Sequence, residues 1–186
     1  MSEEGAVFQS YLDGKTILLS PEVSIETQIA IGSDIMMVMD ECVPSTSDHA
    51  IAAAAMHRTH RWADRSLVAR DAAPQALFGI VQGACFEDLR RESADYLTRL
   101  PFDGFAIGGL AVGEGKADRE RFTALAAALL PRDLPRYLMG VGTPEDLVDS
   151  VARGIDMFDC VLPTRSGRNG QAFTRRGTVN INNARH

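Results

Sequence analysis

The sequence contains little cysteine, no excess of positive charge and no long apolar run, and each absence excludes a class of protein. The three cysteines, Cys42, Cys85 and Cys160, are far apart and form no C-x-x-C pair. This spacing is typical of a reducing compartment and predicts no metal site within the chain. The formal net charge of −6 argues against a generally basic nucleic-acid-binding surface, but it is compatible with a local basic patch.

Two further features predict where the protein resides. No apolar run approaches the roughly 20 residues that a membrane-spanning helix needs. The first residues, Met1 to Gly5, are acidic and differ from the basic and then apolar start of a signal peptide. We therefore expect a cytoplasmic protein that has no membrane partner.

The rest of the sequence alternates between strand and helix signals and predicts an α/β protein. Apolar runs typical of buried strands, each followed by a helical segment, begin near Ile35, Ala76, Phe105, Tyr137 and Met157. About five such units imply a parallel sheet with right-handed crossovers. Small hairpins are predicted within residues 6–19 and 171–181. Since no linker divides the chain, we expect one domain over residues 1–186.

Polar residues or glycines follow these strands at one common end. They are Asp40, Gln82, Gly109, Gly140 and Asp159. Because ligands bind at the carboxyl ends of strands in parallel β/α folds, we expect these residues to form one site. The arrangement favours a barrel over an open sheet, although five units are too few to close an eight-stranded barrel.

Asp159 interrupts the apolar stretch Met157–Leu162, which we interpret as a buried strand. Burying an unpaired carboxylate is costly, so Asp159 is either hydrogen-bonded by backbone groups or used in chemistry. The residues alone leave both alternatives open. Arg165 and Arg168 follow in a turn and indicate an anionic partner close to this carboxylate.

These segments resemble bacterial tRNA-guanine transglycosylases, also called queuine tRNA-ribosyltransferases. The similarity runs from about Gly5 to His186, and its motifs lie in the family's order at residues 33–42, 78–83, 108–114, 137–142 and 154–168. That family folds as a (β/α)8 TIM barrel with inserted hairpins. The resemblance therefore implies a partial barrel of about the last five β/α units. It also implies exchange of guanine at the tRNA wobble position for the deazaguanine preQ1, a step of queuosine biosynthesis.

The resemblance assigns a role to each residue of the predicted site. Asp159 matches the family's nucleophile, whose carboxylate attacks the ribose C1′ and forms a covalent intermediate. Asp40 and Gln82, with the backbone of Gly109 and Leu110, match the groups that hold guanine or preQ1. Other substrate-binding positions match Cys42, Tyr137, Met139 and Glu114, the last of which steadies the Leu110 peptide.

The resemblance also implies two segments that contact the anticodon loop of tRNA. The first is a glycine-rich loop and helix start, Gly140, Val141, Gly142, Thr143, Pro144, Glu145 and Asp146. The second follows the nucleophile and comprises Thr164, Arg165, Ser166, Gly167 and Arg168. Glycines and helix N-termini suit phosphates, and arginines suit both phosphates and unstacked bases.

Two parts of the family's pattern are absent from this sequence. It has no Asp-Ser-Gly-Gly-(Tyr or Phe)-Gln motif, whose aspartate is the family's general acid/base, and no C-x-C-x-x-C and histidine set for structural zinc. We therefore expect an internal fragment that holds no cofactor and is inactive alone. The full-length family implies a structural Zn²⁺ ion and a homodimer.

Two other functions compete with this hypothesis. A non-catalytic member of the same superfamily would bind tRNA or a partner protein, but it would have no need for Asp159 together with Asp40 and Gln82. An unrelated β/α barrel enzyme acting on a phosphorylated metabolite would carry a glycine-rich phosphate loop and a basic residue after its last strands. The run of matched motifs favours the transglycosylase.

Overall fold

The computed structural model describes residues 1–183. Its central strands are β3 (Ile35–Met37), β4 (Ala76–Val81), β5 (Gly104–Ile107), β6 (Arg136–Leu138) and β7 (Met157–Phe158). They form one parallel sheet in the order β3-β4-β5-β6-β7. The sheet curls into half of a barrel, which confirms the predicted partial (β/α) barrel.

Helices connect successive strands, as the alternation predicts. They are α1 (Pro21–Ile31), α2 (His49–Arg70), α3 (Glu87–Leu97), α4 (Lys116–Leu129) and α5 (Pro144–Val151). Side-chain caps fix several helix starts, because the first N–H groups of a helix lack partners within it. Ser20 Oγ accepts the Val23 N–H of α1 at 3.3 Å, and Asp48 Oδ1 accepts the Ile51 N–H of α2 at 2.9 Å.

Two antiparallel hairpins flank this half-barrel. The first pairs β1 (Ala6–Gln9) with β2 (Thr16–Leu19), and the second pairs β8 (Gln171–Thr174) with β9 (Gly177–Asn180). Both predicted hairpins are therefore confirmed. None of the helices described within residues 1–183 is both long and apolar enough to cross a membrane.

The core lies between the sheet and its helices. Leu77, Ile80 and Leu138 have almost no exposed surface. Aromatic side chains pack directly over glycines in the central strands. A Cβ atom on Gly104 would lie 2.4 Å from the Phe78 ring, so this strand position accepts only glycine.

Side chains tie the amino ends of the strands to neighbouring backbone. Asp103 Oδ2 accepts the Leu77 N–H at 2.9 Å and Arg70 Nη1 at 2.6 Å, and Asp156 Oδ2 accepts the Arg136 N–H at 2.9 Å. The buried Arg136 guanidinium donates to the main-chain carbonyls of Leu130, Pro131 and Gly154. These polar groups fasten one strand start to the next.

The prediction of a buried strand over residues 157–162 is wrong. β7 contains two half-buried residues and pairs with β6 alone, and Asp159 is exposed just beyond it. The two arginines lie in a short helix, α6 (Leu162–Arg168), rather than in a turn. β7 ends early because it pairs with β6 alone. The chain then enters a helix at Leu162, with Pro163 in its first turn and the Arg165 N–H bonded to the Val161 carbonyl.

Candidate active site

The ends of β3, β4 and β5 bring three predicted residues into contact. Gln82 Nε2 donates a hydrogen bond to Asp40 Oδ2 at 2.5 Å. Gly109 follows β5 with a φ of 63°, and a Cβ atom there would lie 2.4 Å from Gln82 Oε1. Only glycine permits this backbone to lie so close to the Gln82 amide. The three residues form one polar surface at the carboxyl edge of the sheet.

Burial makes this surface sensitive to charge. Desolvation raises the pKa of Asp40, and the hydrogen bond from Gln82 acts in the opposite direction. Desolvation and the charge of Asp40 also raise the pKa of the Cys42 thiol, against a hydrogen bond from the Gly109 backbone. Cys42 is therefore a protonated thiol beside the Asp40 carboxylate, and not a thiolate nucleophile.

The loop after Gly109 is held by one carboxylate. Glu114 accepts the N–H groups of Ala111 at 2.5 Å and Val112 at 2.9 Å. Ala111 adopts a φ of 60°, which is strained for a residue other than glycine. Because N–H and C=O of a trans peptide point in opposite directions, this contact directs the Leu110 carbonyl away from Glu114.

Asp159 follows the last strand of the parallel sheet and is exposed. Its Oδ1 accepts the Gly140 N–H at 3.0 Å. Burial and the charge of Asp159 raise the pKa of Tyr137 to about 12. The loop N–H orients an exposed carboxylate, so Asp159 is accessible to a ligand. Met139 is half-buried in the same loop and packs against the core.

A cavity of about 390 Å³ lies beside Asp159 and is bordered by both predicted RNA segments. Its lining includes Ala111, Arg119, Gly140, Val141, Gly142, Thr143, Asp146, Cys160, Val161, Leu162 and Arg165. Arg119 Nη2 binds Asp146 Oδ1 at 2.8 Å, and Thr143 Oγ1 accepts the Asp146 N–H at 3.2 Å. These contacts fasten the glycine-rich loop to α4 and α5.

The remaining predicted RNA-contact residues do not line this cavity. Pro144 and Glu145 are exposed and border a separate groove of about 670 Å³ beside β8. Thr164, Gly167 and Arg168 are exposed on α6. Ser166 differs from them, since it is buried and its side chain does not face solvent.

Sequence reasoning missed Arg90, which has no exposed surface. It lies in the first turn of α3, behind the loop that follows β5. Burial lowers its pKa to about 10, so the guanidinium stays charged at neutral pH. A signal was present, because Arg90 precedes Ala94 and Leu97 by four and seven residues and so falls on the buried face of the helix.

The zinc ion expected for the full-length family does not fit the residues present. Within residues 1–183, no group of three or more histidine, cysteine, aspartate or glutamate side chains is placed to hold a metal ion.

The fold defines this chain as half of a (β/α) barrel, and the residues predicted to bind a ligand lie at the carboxyl ends of its strands. The family model for queuine tRNA-ribosyltransferase matches residues 1–186. The chain therefore belongs to the queuine tRNA-ribosyltransferase family, which confirms the resemblance.

Proteins that carry this name are closely similar over nearly all of the chain. The protein of Zymomonas mobilis subsp. mobilis is 57% identical over 189 residues, which cover 99% of this chain and 49% of the relative. The Sphingopyxis alaskensis protein is 58% identical over 99% of this chain and 50% of its own length. The Haemophilus ducreyi protein is 53% identical over 100% of this chain and 49% of its own length. The chain thus spans about half the length of these curated relatives.

Proposed function

We propose that this chain is the base-binding and nucleophile-bearing half of a tRNA-guanine transglycosylase. The observation that carries the proposal is the convergence of Asp40, Gln82 and Gly109 on the same sheet edge that ends in the exposed Asp159. The relatives are named for ribosyl transfer on tRNA with queuine, and we extend that activity to this chain.

The polar surface around Asp40 suits one edge of a purine. An ionised Asp40 accepts N–H groups, and the Gln82 amide offers both a donor and an acceptor. The backbone N–H groups of Gly109 and Leu110 would donate to a ring carbonyl. An unmatched buried polar group costs about 1–3 kcal/mol, so this set selects guanine and related deazaguanines over bases with the opposite pattern.

Asp159 would then carry out the displacement. Its carboxylate attacks the ribose C1′, the bond from C1′ to the base nitrogen breaks, and the electron pair leaves with guanine. The incoming preQ1 attacks the same carbon, and Asp159 departs. Two inversions at one carbon return the original anomeric configuration. The motif that supplies the proton in the family is absent from these residues, so we assign that step to no side chain of this chain.

The cavity beside Asp159 would receive the tRNA backbone. Arg165 borders the cavity and Arg168 lies on the same helix, so they provide positive charge on an otherwise acidic protein. Backbone N–H groups at the start of α5 suit a phosphate. We further propose that the complete protein is cytoplasmic, acts as a homodimer and holds its structural zinc outside this segment, as the family resemblance implies.

A chimera tests the proposal. Residues 1–186 replace the matching half of the Zymomonas mobilis relative, and incorporation of radiolabelled guanine into tRNA is measured. We expect exchange by the chimera and none by the 186-residue chain alone, since the chain lacks the acid/base motif. A folded chimera without exchange would contradict the proposal, and exchange by the chain alone would overturn the need for a second half.

A further inference from the structure

Arg90 is the one charged side chain without exposed surface among residues 1–183. Its guanidinium donors go to main-chain carbonyls rather than to a carboxylate. Nε binds Ala84 O at 2.9 Å, Nη1 binds Gly108 O at 2.7 Å and Val81 O at 3.2 Å, and Nη2 binds Gly109 O at 3.0 Å. A single side chain thus joins the ends of β4 and β5 from behind the proposed base site.

These contacts fix the direction of two amide donors. All peptide bonds described are trans, and in a trans peptide the N–H points opposite to the C=O. Arg90 holds the carbonyls of Gly108 and Gly109, which share their peptides with the N–H groups of Gly109 and Leu110. Both N–H groups therefore point away from Arg90.

Close approaches show which side chains border these two peptides. A Cβ atom on Gly108 would lie 2.7 Å from Gln82 Nε2 and 3.3 Å from Asp40 Oδ2. A Cβ atom on Gly109 would lie 2.4 Å from Gln82 Oε1. The backbone that Arg90 holds therefore borders the surface formed by Asp40 and Gln82.

The charge on Arg90 has a second consequence. A cation that binds a carbonyl polarises the whole peptide, which strengthens the N–H of that peptide as a donor. A neutral side chain in this place would hold the loop without this polarisation. A lysine would keep the charge, but its single nitrogen cannot span the carbonyls of two strand ends.

We propose that Arg90 is a positioning residue that aims the Gly109 and Leu110 amides at the carbonyl group of the bound base. This inference rests on the proposed function, since it assumes that a purine-like base with a ring carbonyl occupies the site. Arg90 acts through the two peptides and touches no reacting atom.

The test compares Arg90→Lys with Arg136→Lys in the 186-residue chain. Arg136 is also buried and also donates to three carbonyls, but it lies at the amino end of β6. We expect Arg90→Lys to shift the Gly109 and Leu110 amide resonances in NMR spectra and to weaken guanine binding by calorimetry by about tenfold or more. Arg136→Lys should lower the melting temperature similarly and leave guanine affinity unchanged.

A measurement on the unaltered chain covers the case in which Arg90→Lys does not fold. Titration with guanine should move the Arg90 side-chain nitrogen resonances and leave those of Arg136 in place. Unchanged Gly109 and Leu110 resonances in Arg90→Lys, or equal guanine affinity in the two lysine variants, would overturn the inference. Failure of the unaltered chain to bind guanine would instead count against the proposed function, while the amide resonances still decide whether Arg90 positions the loop.

Discussion

The two ends of the five-stranded sheet carry the same types of polar residue and use them differently. At the amino ends, Asp103 and Asp156 each accept a backbone N–H from the neighbouring strand. At the carboxyl ends, Asp40 is bonded to a side-chain amide, and Asp159 is exposed with a loop N–H as its backbone donor. The aspartates at the amino ends hold neighbouring strands together, whereas those at the carboxyl ends have oxygens that a ligand can contact.

This difference separates stability from function. Polar groups that saturate neighbouring backbone contribute to folding and offer little to a ligand. Polar groups bonded to adaptable side chains can exchange partners when a ligand arrives. Matched substitutions at the two ends should therefore give opposite results, with stability falling at the amino ends and binding or turnover falling at the carboxyl ends.

The largest effect is expected for Asp159→Ala in the chimera. Removing a nucleophile typically lowers turnover by about 10⁴- to 10⁶-fold, and no covalent RNA adduct should form on denaturing gels. The control is Asp156→Ala, three residues earlier at the opposite end of β7. It removes the acceptor of the Arg136 N–H, so it should lower the melting temperature and preserve turnover. A persistent adduct in Asp159→Ala would disprove the assignment.

The second effect concerns Asp40→Asn, which should weaken guanine binding by about ten- to a hundredfold, because an amide donor would face the donors of the base. Asp103→Ala is the control and should leave guanine affinity intact. Its loss of bonds from Leu77 and Arg70 should cost about 1–3 kcal/mol of stability. Calorimetry and thermal unfolding measure both quantities.

The same Asp40 variant should gain stability at pH 7. Burial raises the pKa of Asp40 in the folded protein, so the folded state binds this proton more tightly than the unfolded state does. Stability is consequently lost as the pH rises through the raised pKa, and an uncharged Asn escapes that loss. The difference in melting temperature should vanish in acid below the ordinary aspartate pKa. A lower melting temperature of Asp40→Asn at pH 7 would contradict this reasoning.

A smaller effect is expected for tRNA affinity. Replacing both Arg165 and Arg168 by alanine should weaken tRNA binding about tenfold and reduce the salt slope by about 0.7–0.9 for each lost phosphate contact. Binding of free guanine should not change. Arg132→Ala removes an exposed arginine at the amino end of the sheet and serves as the control. An equal loss of salt slope in Arg132→Ala would indicate a general charge effect.

The comparison also explains what the sequence could predict. The order of the strands and both hairpins follow from patterns of neighbouring residues, and so does the position of Asp40, Gln82 and Gly109 at one edge of the sheet. These patterns are local, because in a parallel β/α fold each strand and the helix after it determine where that strand ends.

Two features depended on contacts that the sequence does not encode locally. Asp159 lies in an apolar run, but β7 pairs with one neighbour only and ends before it, so the carboxylate is exposed. The helical spacing places Arg90 on the buried face of α3, but the carbonyls that accept its hydrogen bonds lie at the ends of two other strands, which the local sequence does not reveal. Long-range pairing decided both outcomes.

The smallest effect provides the sharpest comparison, because two tyrosines lie beside aspartates at opposite ends of the sheet. The charge of Asp159 acts on the Tyr137 hydroxyl, Tyr96 donates to Asp64 at 2.6 Å near the end of α3, and each tyrosine pKa is raised to about 12. Loss of a polar partner of a carboxylate costs about 1 kcal/mol. Tyr137→Phe should therefore reduce turnover of the chimera about fivefold with little change in melting temperature. Tyr96→Phe should lower the melting temperature with unchanged turnover, and the reverse pattern would show that the two ends do not divide stability from function.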